Sequence, residues 1–245
     1  MNDAIITDNE RINIEPKDVM VKGSNKKQGV NAQTSTQRRP EHQGMAKVII
    51  NPGTPDFNRF LTARNGAVIR GFDDVSIAIS SLFKTVDAVK HPDLVQAIQD
   101  WFNELHEENN KMKENLVAYI KSIEFDKNDS FMSSTQFVPF SFEPVQLNFN
   151  NHNTMRFYKY IFEMNQLMNT IYEYNSLGLL AVSDYPVMSH NIIKSINLYV
   201  ENVKKTLNVS RRKDGPYSPA EFITKVMQYK SVQAYIAAEL SGKRR

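Results

Sequence analysis

An alternation of apolar and amide side chains lies between Pro144 and Asn151, where the sequence reads Val-Gln-Leu-Asn-Phe-Asn. Side chains of a strand alternate between its two faces, so the apolar residues can be buried while Gln146, Asn148 and Asn150 point outward. An Asn or Gln amide carries a donor and an acceptor in one plane and can pair with the N6/N7 edge of adenine in the major groove. The pattern therefore predicts Gln146, Asn148 and Asn150 as base-contacting residues on a DNA-reading strand.

Two other interpretations of the strand remain open at the level of sequence. An ordinary edge strand with solvated amides would show the same alternation. A second short stretch, Lys47 to Asn51, could instead form the ribbon, with Lys47, Ile49 and Asn51 on its outer side.

The elements around the amide row have a recognisable order. The strand is followed by an aromatic-rich helical stretch from about His152 to Asn175, a turn, and a second helical stretch that opens at Ser183-Asp184-Tyr185-Pro186. Strand, helix, turn and helix make up a ribbon-helix-helix DNA-binding unit, predicted here for residues 144–207. In that architecture each subunit supplies one strand, so two subunits must pair their strands antiparallel in the major groove. The chain is therefore expected to be a homodimer, mainly α-helical with a short β-ribbon.

Phosphate contacts are expected around this unit. The N-terminal amides of its second helix, near Tyr185 to Ser189, could bind backbone phosphates, and Ser189 is one predicted contact. Arg156 and Lys159 near the start of its first helix are two more.

The C-terminal part of the chain is basic. From Lys204 onward there are ten basic and three acidic residues, although the whole chain has a net charge of only +3. This imbalance favours a polyanion as partner, although clustered solvated lysines would give the same count. Arg211, Arg212 and Lys213, in a loop between Ser210 and Pro216, are predicted to contact phosphates.

The rest of the chain divides by composition. Residues 1–45 are polar and basic, with few aromatics, and are predicted to be a disordered tail. Residues 46–240 are predicted to form one helical domain, and 241–245 a basic tail. Within the domain the predicted parts are an N-terminal helical part (46–143), the ribbon-helix-helix unit (144–207), and a basic loop with a C-terminal helix (208–240).

Catalytic chemistry finds no support in the sequence. There is no cysteine, and the five histidines lack the spacing of metal ligands. The nine glycines form no phosphate-binding loop. We therefore expect no enzyme, no cofactor and no metal. No apolar run is long enough for a membrane span, so no membrane partner is expected either.

Several segments together resemble a known family. These are Phe140-x-Phe142-x-Pro144-x-x-x-Phe149-x-Asn151, the aromatic-rich helix after it, Leu177-Gly178-Leu179-Leu180 with the next helix, and Thr62-Ala63-Arg64 to Arg70-Gly71. Over roughly residues 55–205 the chain resembles the AcaB-like regulators of conjugative plasmids and integrative conjugative elements. It departs from minimal ribbon-helix-helix proteins in its much longer first helix.

The resemblance implies a cytoplasmic, nucleoid-associated, dimeric transcriptional regulator that activates conjugative-transfer genes. Its partners would be double-stranded promoter DNA, a second copy of the chain and, as a further candidate, RNA polymerase. The alternative is a protein-interaction adaptor or structural component of a conjugation apparatus that docks through its aromatic helix surface.

Overall fold

The computed structural model describes residues 45–123, 134–135, 137–209 and 218–241. These residues form two strands, six α-helices and a terminal π-helical turn. The elements in chain order are β1 Ala46–Ile50, α1 Pro55–Thr85, α2 Pro92–Ser122, β2 Val145–Phe149, α3 His152–Ser176, α4 Asp184–Thr206, α5 Pro219–Tyr229, α6 Val232–Tyr235 and the π-helical turn Ile236–Leu240. The described chain is thus mainly helical, as predicted. The predicted tail 1–45 lies almost wholly outside the described residues.

The helix starts follow the capping signals of the sequence. The Thr54 hydroxyl accepts a hydrogen bond from the backbone N–H of Phe57 at 3.2 Å, with Pro55 as the first helical residue. The Ser218 hydroxyl accepts from the N–H of Glu221 at 3.4 Å in the same way. A side-chain oxygen at this position satisfies a backbone donor that the helix leaves unpaired.

Helix α1 is interrupted by a left-handed turn. Arg64, Asn65 and Gly66 all have positive φ angles, of 50°, 55° and 75°. The Arg70 guanidinium donates to the carbonyl of Asn65 at 2.7 Å across this turn. The helix resumes after Gly66, and Asp74 lies inside it, where its carboxylate binds the Lys204 ammonium at 2.9 Å.

Helix α3 is the central element of the core. Its Phe157, Tyr158 and Tyr160 are almost fully buried, and it packs against α1, α2 and α4. Phe157 meets Tyr199 of α4 edge to face at 5.0 Å between ring centroids, and the Tyr160 hydroxyl hydrogen-bonds Ser195. Within the described residues, other helices of the same chain bury α3.

The two strands pair with each other. β1 and β2 form a two-stranded antiparallel sheet with Lys47 opposite Asn148 and Ile49 opposite Gln146. The order strand, helix, turn, helix predicted for residues 144–207 is present. The prediction that each chain supplies a single strand is wrong, because the stretch considered as an alternative ribbon is the partner of the first.

The ribbon is attached to the helices through its inner side. Ile50 and Leu147 are fully buried, and Phe149 meets Tyr158 of α3 edge to face at 6.2 Å. The Asn165 side chain on α3 donates to the carbonyl of Asn51 at 3.0 Å just after β1. An isolated two-stranded ribbon is only marginally stable, so this packing is what holds the ribbon in place.

Candidate nucleic-acid interface

The outer side of the ribbon carries four side chains from two strands. Cross-strand partners share a face, so Lys47, Ile49, Gln146 and Asn148 lie together on the side away from α3. Lys47, Ile49 and Gln146 are exposed and Asn148 is half-buried. We call these four residues the outer ribbon face. The sequence predicted Gln146 and Asn148 as base-contacting residues. It gave Lys47 and Ile49 only as part of an alternative ribbon, not as neighbours of these amides.

The two amides of this face are linked. The Gln146 side-chain N–H donates to the Asn148 side-chain oxygen at 3.1 Å. Residues two apart on a strand point the same way, which allows this contact. The bond leaves the Gln146 oxygen and the Asn148 amide protons available, so the pair can still offer an acceptor and donors outward.

Asn150 has a different environment from the other two amides. It follows the last residue of β2, and its side-chain oxygen accepts a hydrogen bond from the hydroxyl of Ser80 on α1 at 2.9 Å. The next residue, Asn151, caps α3 by accepting from the N–H of Asn153 at 2.8 Å. Asn150 is exposed, but it lies at the end of the ribbon and is tied to α1.

The predicted basic contacts on α3 are already engaged in part. Arg156 donates to the side-chain oxygen of Asn103 on α2 at 2.6 Å. Lys159 lies 3.7 Å from Glu163, and its side chain is 67% exposed. Glu163 also binds Lys113 of α2 at 2.6 Å. Lys159 therefore keeps its charge in solvent, whereas Arg156 is fixed between two helices.

His106 of α2 lies near these charged side chains. Burial, together with the positive charges of Arg156 and Lys113, lowers the pKa of His106 from 6.5 to about 4. Its ring lies 3.5 Å from the Tyr199 hydroxyl. Burial contributes more to this low pKa than the neighbouring positive charges do, so the shift reflects chiefly how His106 is packed.

The start of α4 does not have the geometry of a phosphate site. Ser189 is only 6% exposed, so its hydroxyl does not face solvent, and we remove it from the proposed interface. The Tyr119 hydroxyl hydrogen-bonds the carboxylate of Asp184 in the first turn. The Tyr185 hydroxyl donates to Asp56 at 2.6 Å, and burial with this bond raises the pKa of Tyr185. Two carboxylates at this helix end would repel a phosphate.

The predicted basic loop, from Ser210 to Pro216, is not among the residues that the structure describes. Arg211, Arg212 and Lys213 lie outside the described residues, so their predicted phosphate contacts stay predictions. In the part of the chain that is described, no group of three or more His, Asp or Glu side chains is arranged to hold a metal. The described helices also include none that is long and apolar enough to cross a membrane.

Comparison with known proteins adds one structure. The described residues define a mainly helical protein with a two-stranded antiparallel ribbon on its surface. Its fold is similar to that of AcaB from uropathogenic E. coli, with a TM-score of 0.47 and 10% sequence identity over 79% of this chain and 89% of AcaB. No protein-family model and no curated protein matches the sequence.

Proposed function

We propose that this chain is a sequence-specific DNA-binding transcriptional regulator that inserts its ribbon into the major groove. The observation that carries the proposal is the outer ribbon face, where β2 presents the amides of Gln146 and Asn148 beside Lys47 and Ile49 of β1, while the opposite face of the ribbon packs on the helices. The major groove of B-DNA is wide enough for a two-stranded ribbon. Gln146 and Asn148 would then read adenine edges, with Asn150 at the rim of the contact.

The ribbon of this protein is assembled within one chain. In a ribbon-helix-helix protein the dimer is needed to build the ribbon, whereas here β1 and β2 supply both strands. A homodimer would instead present two complete ribbons. These would reach successive major grooves about 34 Å apart, and the binding site would then be a repeated or palindromic half-site.

Phosphate contacts supply the affinity in this proposal. Lys159 keeps an exposed charge on α3, and Arg156 lies three residues earlier on the same helix. The loop with Arg211, Arg212 and Lys213 would add to the positive charge. Such contacts hold a protein in register on the duplex, while the base contacts give the sequence preference.

The biological setting follows from the resemblance to the AcaB-like regulators in the sequence. It implies an activator of conjugative-transfer genes, in the cytoplasm and at the nucleoid, with RNA polymerase as a further candidate partner.

The test is a DNA-binding titration with a selected binding site. Asn148→Ala should weaken specific binding about tenfold, because a good amide–adenine pair contributes about 1–3 kcal/mol of discrimination. Asn202→Ala is the matched control, since Asn202 is an exposed asparagine on α4. Unchanged affinity of Asn148→Ala, or equal losses in both variants, would contradict the proposal.

A second function is favoured by a different surface. Phe140 is 47% exposed and Val138 is 76% exposed in the segment before β2. Phe140 stacks on Phe142 at 5.8 Å and meets Tyr172 of α3 edge to face. Exposed apolar side chains grouped in this way suit a protein-docking adaptor of a conjugation apparatus.

Salt concentration separates the two functions. DNA binding should weaken steeply with salt because counterions are released, whereas docking through an apolar surface should change little. Phe140→Ser should abolish docking of a protein partner and leave DNA binding intact.

A further inference from the structure

The inference below rests on the proposed function and extends it to the other strand. We infer that Lys47 and Ile49 of β1 determine DNA sequence specificity, with Ile49 contacting the methyl group of thymine and Lys47 contacting guanine. Together with the amides of β2 they would form a reading surface of four side chains, assembled from two parts of the chain about a hundred residues apart.

The strand register supports a shared surface. Ile49 is the direct partner of Gln146, and Lys47 is the direct partner of Asn148. Directly opposed residues of an antiparallel pair have Cβ atoms about 4.5–5.5 Å apart on the same face. Any base that approaches one of the amides therefore also approaches its β1 partner.

Ile49 is unusual among its neighbours on this face. It is 46% exposed, while Ile50, the next residue on β1, is fully buried on the inner side. An aliphatic side chain between a lysine and an amide has no polar group to offer to a base edge. The C5-methyl of thymine is the apolar feature of the major groove, so a contact between the two would remove both from water.

Lys47 has the opposite chemistry. It is exposed, and within the described ranges no carboxylate lies in ion-pair distance of it. A lysine ammonium has three donors and no acceptor, which matches the O6 and N7 acceptors of guanine. It does not match the amino groups of adenine or cytosine.

The spacing on the strand suggests the spacing on DNA. Residues two apart on an antiparallel strand are separated by about 6.8 Å, which equals about two base steps of about 3.4 Å. The two cross-strand pairs would therefore read positions about two steps apart. The Ile49–Gln146 pair suits an A·T base pair, since adenine offers its N6/N7 edge and thymine its methyl group.

The experiment combines protein variants with modified bases. A preferred site is first selected from random duplexes with the full chain. Each thymine in it is then replaced by deoxyuridine, which removes only the methyl group, and each guanine by 7-deazaguanine, which removes the N7 acceptor. Affinities are measured for the unmodified chain, Ile49→Ala and Lys47→Ala, with Ile77→Ala as control because Ile77 is a 60% exposed isoleucine on α1.

The expected result is a loss that depends on both partners. Replacing one particular thymine by deoxyuridine should lower the affinity of the unmodified chain about fourfold, which corresponds to about 0.8 kcal/mol for a buried methyl group. This loss should be absent in Ile49→Ala and present in Ile77→Ala. Replacing one particular guanine by 7-deazaguanine should lower the affinity of the unmodified chain at least about fivefold. The same replacement should leave the affinity of Lys47→Ala unchanged.

The possible results separate the roles of Lys47 and Ile49 from the proposed DNA-binding function itself. If the chain selects a specific site but the modified bases act equally in the variants and the unmodified chain, the roles of Lys47 and Ile49 are refuted and the DNA-binding function stands. A selected site that contains no guanine would refute the role of Lys47, and one that contains no thymine would refute the role of Ile49. If no specific site is selected, both the function and the inference fall. The side chains of Lys47 and Ile49 are exposed, so each variant should unfold at a temperature close to that of the unmodified chain.

Discussion

The side chain of Gln146 donates a hydrogen bond to the side chain of Asn148 at 3.1 Å on the outer ribbon face. The bond fixes the orientation of both amides before any base is bound. Amides that are already oriented lose less rotamer freedom on binding, which favours affinity. The two residues should therefore act as a unit.

The first prediction concerns this coupling. Gln146→Ala and Asn148→Ala should each weaken operator binding, and the double variant should lose less than the two losses added together, because either substitution releases the remaining amide. A double-mutant cycle from binding titrations measures the difference, expected at about 0.5–3 kcal/mol for groups in contact. Additive losses would mean that the bond has no part in recognition.

The second prediction concerns phosphates. Lys159→Ala should lower affinity to a similar degree for all DNA sequences and reduce the slope of log affinity against log salt by about 1, since one phosphate contact is lost. Lys121→Ala, which removes an exposed lysine at the end of α2, is the control.

The basic loop is tested in the same assay. The double charge reversal Arg211→Glu with Arg212→Glu should cause a larger loss, because it replaces attraction to phosphate with repulsion. If DNA affinity is unaffected, the loop is not part of the interface.

The third prediction concerns the left-handed turn of α1. Gly66→Ala should lower the free energy of unfolding by about 1–2 kcal/mol, because a Cβ at a φ of 75° crowds the following carbonyl. Asn65→Gly should raise or preserve stability, since it relieves the same crowding at a φ of 55°. Urea denaturation measures both.

Gly71 provides a matched control within the same helix. A Cβ there would lie 3.8 Å from Val200, which is ordinary van der Waals contact. Gly71→Ala should therefore stabilise the protein by about 0.5–1 kcal/mol, the usual difference between the two residues inside a helix. Opposite signs for the alanine variants at 66 and 71 would identify backbone conformation as the cause.

The fourth prediction concerns acid stability. The pKa of His106 is about 4 in the folded protein and 6.5 in its ordinary state. Between these values the unfolded chain binds a proton that the folded chain does not, so stability should fall as the pH drops from about 6.5 to about 4. Above that window His106 contributes no pH dependence.

Variants can isolate this contribution from that of the carboxylates. Burial lowers the pKa of His106 most, the charges of Arg156, Lys113 and Lys159 lower it further, and Glu163 raises it. His106→Gln should flatten the decline of the unfolding midpoint over this pH range, and His190→Gln, which changes an exposed histidine on α4, is the control. A decline of equal steepness in all three proteins would rule out His106 as its source.

Local signals in the sequence predicted the helices well. Thr54 with Pro55 and Ser218 with Pro219 mark helix starts that the structure contains, because capping depends on residues within one turn. Pro92 marks a third start as the first helical residue of α2. The alternation around Leu147 likewise predicted β2, whose two faces differ in burial as expected.

Contacts between distant parts of the chain were less accessible. Nothing local to Val145–Phe149 indicates that its partner is Ala46–Ile50, and a pairing between two copies of one strand fits the same alternation. The bond of Arg156 to Asn103 is similarly invisible, since it depends on how two helices pack. The left-handed conformation of Arg64 also could not be read from its residue type, because arginine is not among the residues that favour it.

The sequence also contains a signal that Ser189 is buried. It lies three residues before Ile192 and seven before Ile196, and all three are buried on one side of α4. Helical periodicity would have placed it on the inner face. Its position in the first turns of a helix had suggested a phosphate contact instead.

The pairing of β1 with β2 also sets when, in the proposed function, the protein would become able to recognise DNA during its synthesis. A nascent chain that has not yet extended past Phe149 holds β1 without its partner strand, so no ribosome-bound fragment of that length possesses the reading surface. Closing so long a loop is slow compared with forming the helices inside it. Binding competence should therefore arise late, after α1 and α2 have formed and after α3, on which the ribbon packs, has been completed.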